Sequence, residues 1–73
     1  METIGERAVK EIKNRARQNN VSVSKQASEL TITSVHISHW KDGTNPSAYW
    51  LQQMALAGYD VFYILTGVKN NGC

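Results

Sequence analysis

The chain has one cysteine, one proline and one phenylalanine in 73 residues, and nowhere a long apolar run. Each scarcity excludes something. The lone Cys73 can form no intramolecular disulfide, and the pattern fits a reducing compartment. With His36 and His39 three residues apart, a zinc site would lack nearby further ligands, so no metal is expected. No stretch approaches the ~20 apolar residues that span a bilayer. The polar segment from Met1 to Arg17 lacks a signal peptide's apolar region, so the expectation is a cytoplasmic protein, neither secreted nor inserted in a membrane. Nothing pairs a nucleophile with a base, builds a phosphate-binding loop or sets two catalytic carboxylates together; a non-enzyme without cofactor or small-molecule ligand is expected.

What is present reads as one small helical domain. Apolar residues make up 41% and charged ones 19%, enough for a core in a chain whose length allows only one. The net charge is +2, and five of the eight basic residues (Arg7, Lys10, Lys13, Arg15 and Arg17) fall in the first 17 positions. That is either an ordinary solvated helix face or a stripe that meets phosphates.

Thr3 and Glu6 have capping-box spacing, and Val9, Ile12 and Ala16 recur at helical period, which predicts a first helix from about Ile4 to Gln18. Ser22 is placed to cap a short second helix with Val23, Ala27 and Leu30 inward, stopping near Leu30. Thr33 is placed to cap a third, Ser34 to Lys41, with Ile32 and Ile37 spaced as a hydrophobic staple. Asp42-Gly43 ends it. A fourth helix presents Trp50, Leu51, Met54, Ala55 and Ala57, and Gly58 closes it. Asp60 caps a fifth, Val61 to Leu65, with Val61, Ile64 and Leu65 inward, ended by Gly67. There is no strand signal and no repeat. The expected organisation is an all-α, five-helix domain over 1–67 and a short polar tail over 68–73.

Only three residues separate helices two and three, which is helix-turn-helix spacing. With Ile37 and Trp40 inward, the helical period turns Ser34, Val35, Ser38 and His39 outward as a face of small and polar side chains. Such a face can approach base edges in a major groove, Val35 suiting a thymine methyl. Phe62, with Tyr59 and Tyr63 beside it, reads as an exposed aromatic set suited to a subunit interface.

The run Val21-Ser22, Ala27, Leu30, Ile32-Thr33, Ile37-Ser38, Trp40, Gly43 and Pro46-Ser47 resembles the Cro/repressor-type, lambda-repressor-like helix-turn-helix family of phages and bacteria. The likeness covers roughly residues 4 to 67, and the segment from Gly58 to Gly67 is similar to that family's last helix. It departs at Thr31, where glycine is common, at Val23, where glutamine is common, and at Gln26, where a core leucine is usual.

The resemblance implies a transcriptional regulator that binds double-stranded DNA, a repressor or autorepressor acting by occupancy on a near-palindromic operator as a homodimer, in the nucleoid. Ser34, Val35, His36, Ser38 and His39 would contact bases, and Ser22, Lys25, Thr33, Lys41, Thr44 and Arg17 would meet the sugar-phosphate backbone. The alternative is a protein-binding antirepressor or antitoxin-like module on the same fold.

Overall fold

The computed structural model describes residues 2–68. The rest of the expected polar tail, with Cys73, lies outside the described residues. Five helices follow in order: α1 Ile4–Asn19, α2 Val23–Ser28, α3 Ser34–Lys41, α4 Ala48–Leu56 and α5 Val61–Thr66. Among the described residues there is no strand. The all-helical, five-helix architecture is as expected.

The long α1 organises the domain because it packs against α2, α3 and α5, while α4 leans on α5. Its inward row is Gly5, Ala8, Val9, Ile12 and Ala16. Around that row close Ala27, Ile32, Trp40, Met54, Tyr59, Tyr63 and Ile64. Ile12, Met54 and Ile64 are the largest fully buried side chains, and removing such a side chain from water contributes about 1.5–3 kcal/mol.

Gly5 marks the closest approach of two helices. A β-carbon at this position would stand 2.6 Å from the Trp40 carbonyl oxygen and collide with that of Thr44. Only a residue without a side chain lets the first turn of α1 lie on the end of α3.

The helix ends explain how so short a chain turns so often. The amide of Val21 returns to the Ala16 carbonyl at 3.0 Å, Ile32 to Ala27 at 3.1 Å, Thr44 to His39 at 3.0 Å and Tyr59 to Met54 at 2.9 Å. Each is the six-residue closure that follows a left-handed residue, and it satisfies a carbonyl the helix has left unpaired. Glycine supplies the left-handed residue at Gly43 and Gly58, but Asn20 (φ 57°) and Thr31 (φ 61°) supply the others. A β-branched residue such as Thr31 is expected to avoid positive φ. It does not, because the closure carries Ile32 into the core at 2% exposure, a gain that offsets the ~1–2 kcal/mol cost of a β-branched residue there.

Four further expectations are corrected. Helix α2 ends at Ser28 rather than near Leu30, since the turn bonds of Glu29, Leu30 and Thr31 tighten the chain ahead of the left-handed residue. In α4 Met54 is buried and Trp50 and Leu51 are half-buried, but Ala55 and Ala57 are exposed, so the inward face is narrower than the apolar pattern. In α5 the inward pair is Tyr63 and Ile64, and Leu65 is 45% exposed. Tyr59 and Tyr63 are core residues at 7% and 6% exposure, so neither belongs to an exposed aromatic set; Phe62, at 56%, is exposed.

Candidate nucleic-acid interface

Helix α3 is held from below and shows one face to solvent. Trp40 is buried and Ile37 half-buried beneath it, which leaves Ser34, Val35, Ser38, His39 and Lys41 exposed. Val35 is 59% exposed. From Thr33 to Thr44 the only carboxylate is Asp42, which caps the C-terminus of α3. The outward face is therefore small, polar and nearly free of negative charge.

The end of α1 and the turns before α2 and on either side of α3 carry exposed hydroxyls and cations. The Ser22 hydroxyl caps α2 by accepting the Lys25 amide at 3.1 Å, and both residues are exposed. Thr33 caps α3, its hydroxyl accepting the His36 amide at 3.4 Å. Thr44 is exposed in the loop after α3, and Arg17 is exposed in the last turn of α1. None of Arg17, Lys25 and Lys41 takes part in an ion pair among the described residues.

His36 stands apart from the rest of the expected base-contacting set. Its Nδ1 accepts the Thr33 amide at 3.2 Å, completing a capping box in which histidine takes the place usual for glutamate. Its ring is half-buried against Trp50, with centroids 4.8 Å apart, and against Trp40 at 5.9 Å. The ring belongs to the support of α3 rather than to its outward face. This corrects the expected role of His36.

The basic residues of α1 divide in the same way. Arg7 donates to the carbonyls of Ile64 at 2.9 Å and Leu65 at 3.3 Å, closing the end of α5. Arg15 donates to the carbonyls of Ala57 and Gly58 and lies over the Tyr59 ring at 4.1 Å from its centroid. Those two guanidiniums hold helix C-termini, where positive charge is favoured. Lys10 pairs with Glu2 at 2.7 Å, and that hydrogen bond holds the Glu2 carboxyl below and the Lys10 ammonium above their usual values. An open groove of about 290 Å³ lies between α1 and the end of α3, where Lys13 and Lys41 join the Glu2–Lys10 pair.

A buried polar knot ties Asn19, Gln26, Glu29 and Tyr59 together. Gln26, 3% exposed, accepts from Asn19 Nδ2 at 2.8 Å and donates to Glu29 at 3.2 Å and to the Tyr59 hydroxyl at 3.3 Å. Gln26 stands where the resembled family has leucine, and its amide is satisfied in place. Burial pushes the Tyr59 hydroxyl up, an effect the Gln26 bond and the Arg15 charge partly oppose. The signal for the knot was the polar residue itself, set between apolar neighbours on an inward face.

Comparison with protein-family models, with curated proteins and with solved structures finds no match to this chain. Among the described residues no helix is long and apolar enough to cross a membrane. No group of three or more His, Cys, Asp or Glu among them could hold a metal ion.

Proposed function

We propose that this protein is a sequence-specific, double-stranded DNA-binding regulator, a repressor or autorepressor, whose α2 and α3 form a helix-turn-helix of the lambda-repressor-like kind. The observation that carries this reading is the outward face of α3. Ser34, Val35, Ser38 and His39 are all exposed on a helix anchored by the buried Trp40, with no carboxylate among them. Thin side chains let the helix axis come close to base edges, and hydroxyls and an imidazole can donate or accept there. Ser22, Lys25, Thr33, Lys41, Thr44 and Arg17 are all exposed and would fix its register on the phosphates.

A single short helix reads few base pairs, so useful selectivity calls for a homodimer on a near-palindromic site. Phe62 and Leu65, three residues apart on the outer side of α5 and both exposed, offer an apolar surface for that contact. Bound dimers would act by occupying a promoter.

The test is binding to duplex DNA across a range of salt, with Ser34→Ala and His39→Ala beside the parent. Affinity should fall steeply with salt, since phosphate contacts release counterions. Each variant should lose roughly 1–3 kcal/mol of discrimination at one position of the half-site while keeping its non-specific affinity. Variants with unchanged preference would remove those residues from the reading face.

A further inference from the structure

Of the basic residues of α1, Arg7 and Arg15 hold helix C-termini and Lys10 pairs with Glu2 at 2.7 Å. Lys13 and Arg17 remain, both exposed and four residues apart, so they share one side of the helix. Lys13 also lines the open groove of about 290 Å³ between α1 and the end of α3, together with Glu2, Glu6, Val9, Lys10 and Lys41. On α3, the exposed Ser34, Ser38 and Lys41 fall at i, i+4 and i+7, so Lys41 continues the outward row of that helix to its end. Lys41 thus belongs both to that row and to the groove.

The groove carries three ammoniums and two carboxylates, and both carboxylates are engaged from within the chain. Glu2 accepts from Lys10, and Glu6 Oε1 accepts the Thr3 amide at 2.9 Å in the capping box of α1. Lys13 and Lys41 take part in no ion pair among the described residues. Lys41 stands in the last turn of α3, where the helix dipole favours a cation whatever that cation meets. Lys13 lies away from both ends of α1 and gains nothing from a helix terminus. Two ammoniums on one groove focus a positive potential there, and an anion between them relieves their repulsion.

We propose that this groove takes one phosphodiester of the DNA backbone between the ammoniums of Lys13 and Lys41. A basic track then runs from the end of the outward row of α3, across the groove and along α1 to Arg17. The inference rests on the DNA-binding reading above and adds Lys13 to its phosphate contacts; Lys10, committed to Glu2, stays outside the track. A lysine ammonium meets phosphate as a point charge, so the contact carries no base preference. It does displace a counterion, and its signature is in the salt dependence of binding.

The experiment measures affinity for a selected duplex and for an unrelated one between about 50 and about 200 mM salt. Beside the parent stand Lys13→Gln, Lys41→Gln, the two combined, and the charge-neutral pair Glu2→Gln with Lys10→Gln. All four side chains are exposed, and the thermal midpoint checks that each variant folds. For one shared phosphodiester, the Lys13/Lys41 double variant should lower the slope of log affinity against log salt by about 0.9, so its deficit against the parent shrinks about three- to fourfold over that range. Each single lysine variant should fall between parent and double, the charge-neutral pair should match the parent, and both duplexes should weaken by the same factor. Equal slopes in the parent and the lysine double variant would overturn the assignment. A slope lower by about 1.8 would put the two lysines on separate phosphates and overturn the shared groove. Inorganic phosphate, followed through the Lys13 and Lys41 ammonium resonances, separates the sources: saturation there with equal duplex slopes would give the groove to a free anion and not to DNA. If the parent binds neither duplex, the DNA reading itself fails and takes the groove assignment with it.

Discussion

Gly5→Ala should cost this domain a large part of its stability. In an ordinary helix interior that substitution is worth close to 1 kcal/mol in the stabilising direction, because alanine is the better helix former. Here the added methyl would stand 2.6 Å from the carbonyl oxygen of Trp40 and closer still to that of Thr44. Both are backbone atoms, one at the end of α3 and one in the loop after it, so no side chain can swing aside. Relief requires α1 and α3 to part, and Trp40, which fills the space between them at 3% exposure, would lose its packing. Ordinary overpacking costs ~1–3 kcal/mol; displacement of a whole helix belongs at or above the upper end. For a chain of this length, whose total stability is on the order of 4–11 kcal/mol, a loss of about 3 kcal/mol lowers the thermal midpoint by roughly 12–24 °C. Thermal unfolding followed by circular dichroism measures it. An unchanged or raised midpoint would show that the two helices are not in the contact described.

Phe62→Glu should leave the protomer folded and strongly weaken the proposed homodimer. Phe62 is 56% exposed, and its neighbour Tyr63 rather than Phe62 faces the core, so its replacement touches little of what holds the domain together; a change within about 0.5 kcal/mol is expected. At a two-fold interface the same position meets itself or its near neighbours, so two carboxylates would be brought together in an apolar contact. Juxtaposed like charges there cost several kcal/mol, enough to weaken association by a factor of about 100 or more. Sedimentation should find monomers where the parent forms dimers, and affinity for a two-half-site duplex should fall to that of one half-site. A dimer that persists unchanged would move the interface away from α5.

The boundaries of α3 were legible because each end carries a local signal: Thr33 at the cap and Gly43 past the end. The end of α2 was not legible. Its stop depends on Thr31 in a left-handed conformation, and a threonine there gives no local sign of it; the reason lies in the burial of Ile32, a tertiary gain. Arg7 and Arg15 show the same limit more sharply. As residues of a basic stretch they look like phosphate ligands, yet their partners lie 57 and 58 residues away for Arg7 and 42 and 43 for Arg15, separations no local pattern reveals. His36 was read by its position on α3 and lost its outward role to a contact with Trp50 from another helix. Tyr59 and Tyr63 were read as a surface because Phe62 lies near them in sequence. A helix period places Phe62 about 100° from Tyr63, and the structure uses that angle to put one ring inside and the other out. The outward face of Ser34, Val35, Ser38 and His39 needed only that period and the inward placement of Trp40.

Selection of bound sequences from random duplex DNA at near-physiological salt, followed by alignment of the survivors, bears most directly on the claim that α3 reads DNA. If the claim holds, the survivors share an inverted repeat with half-sites about one helical turn apart. If they share no sequence, and binding is weak and governed by salt alone, the exposed face of α3 is not a reading surface, and the fold serves a protein partner instead.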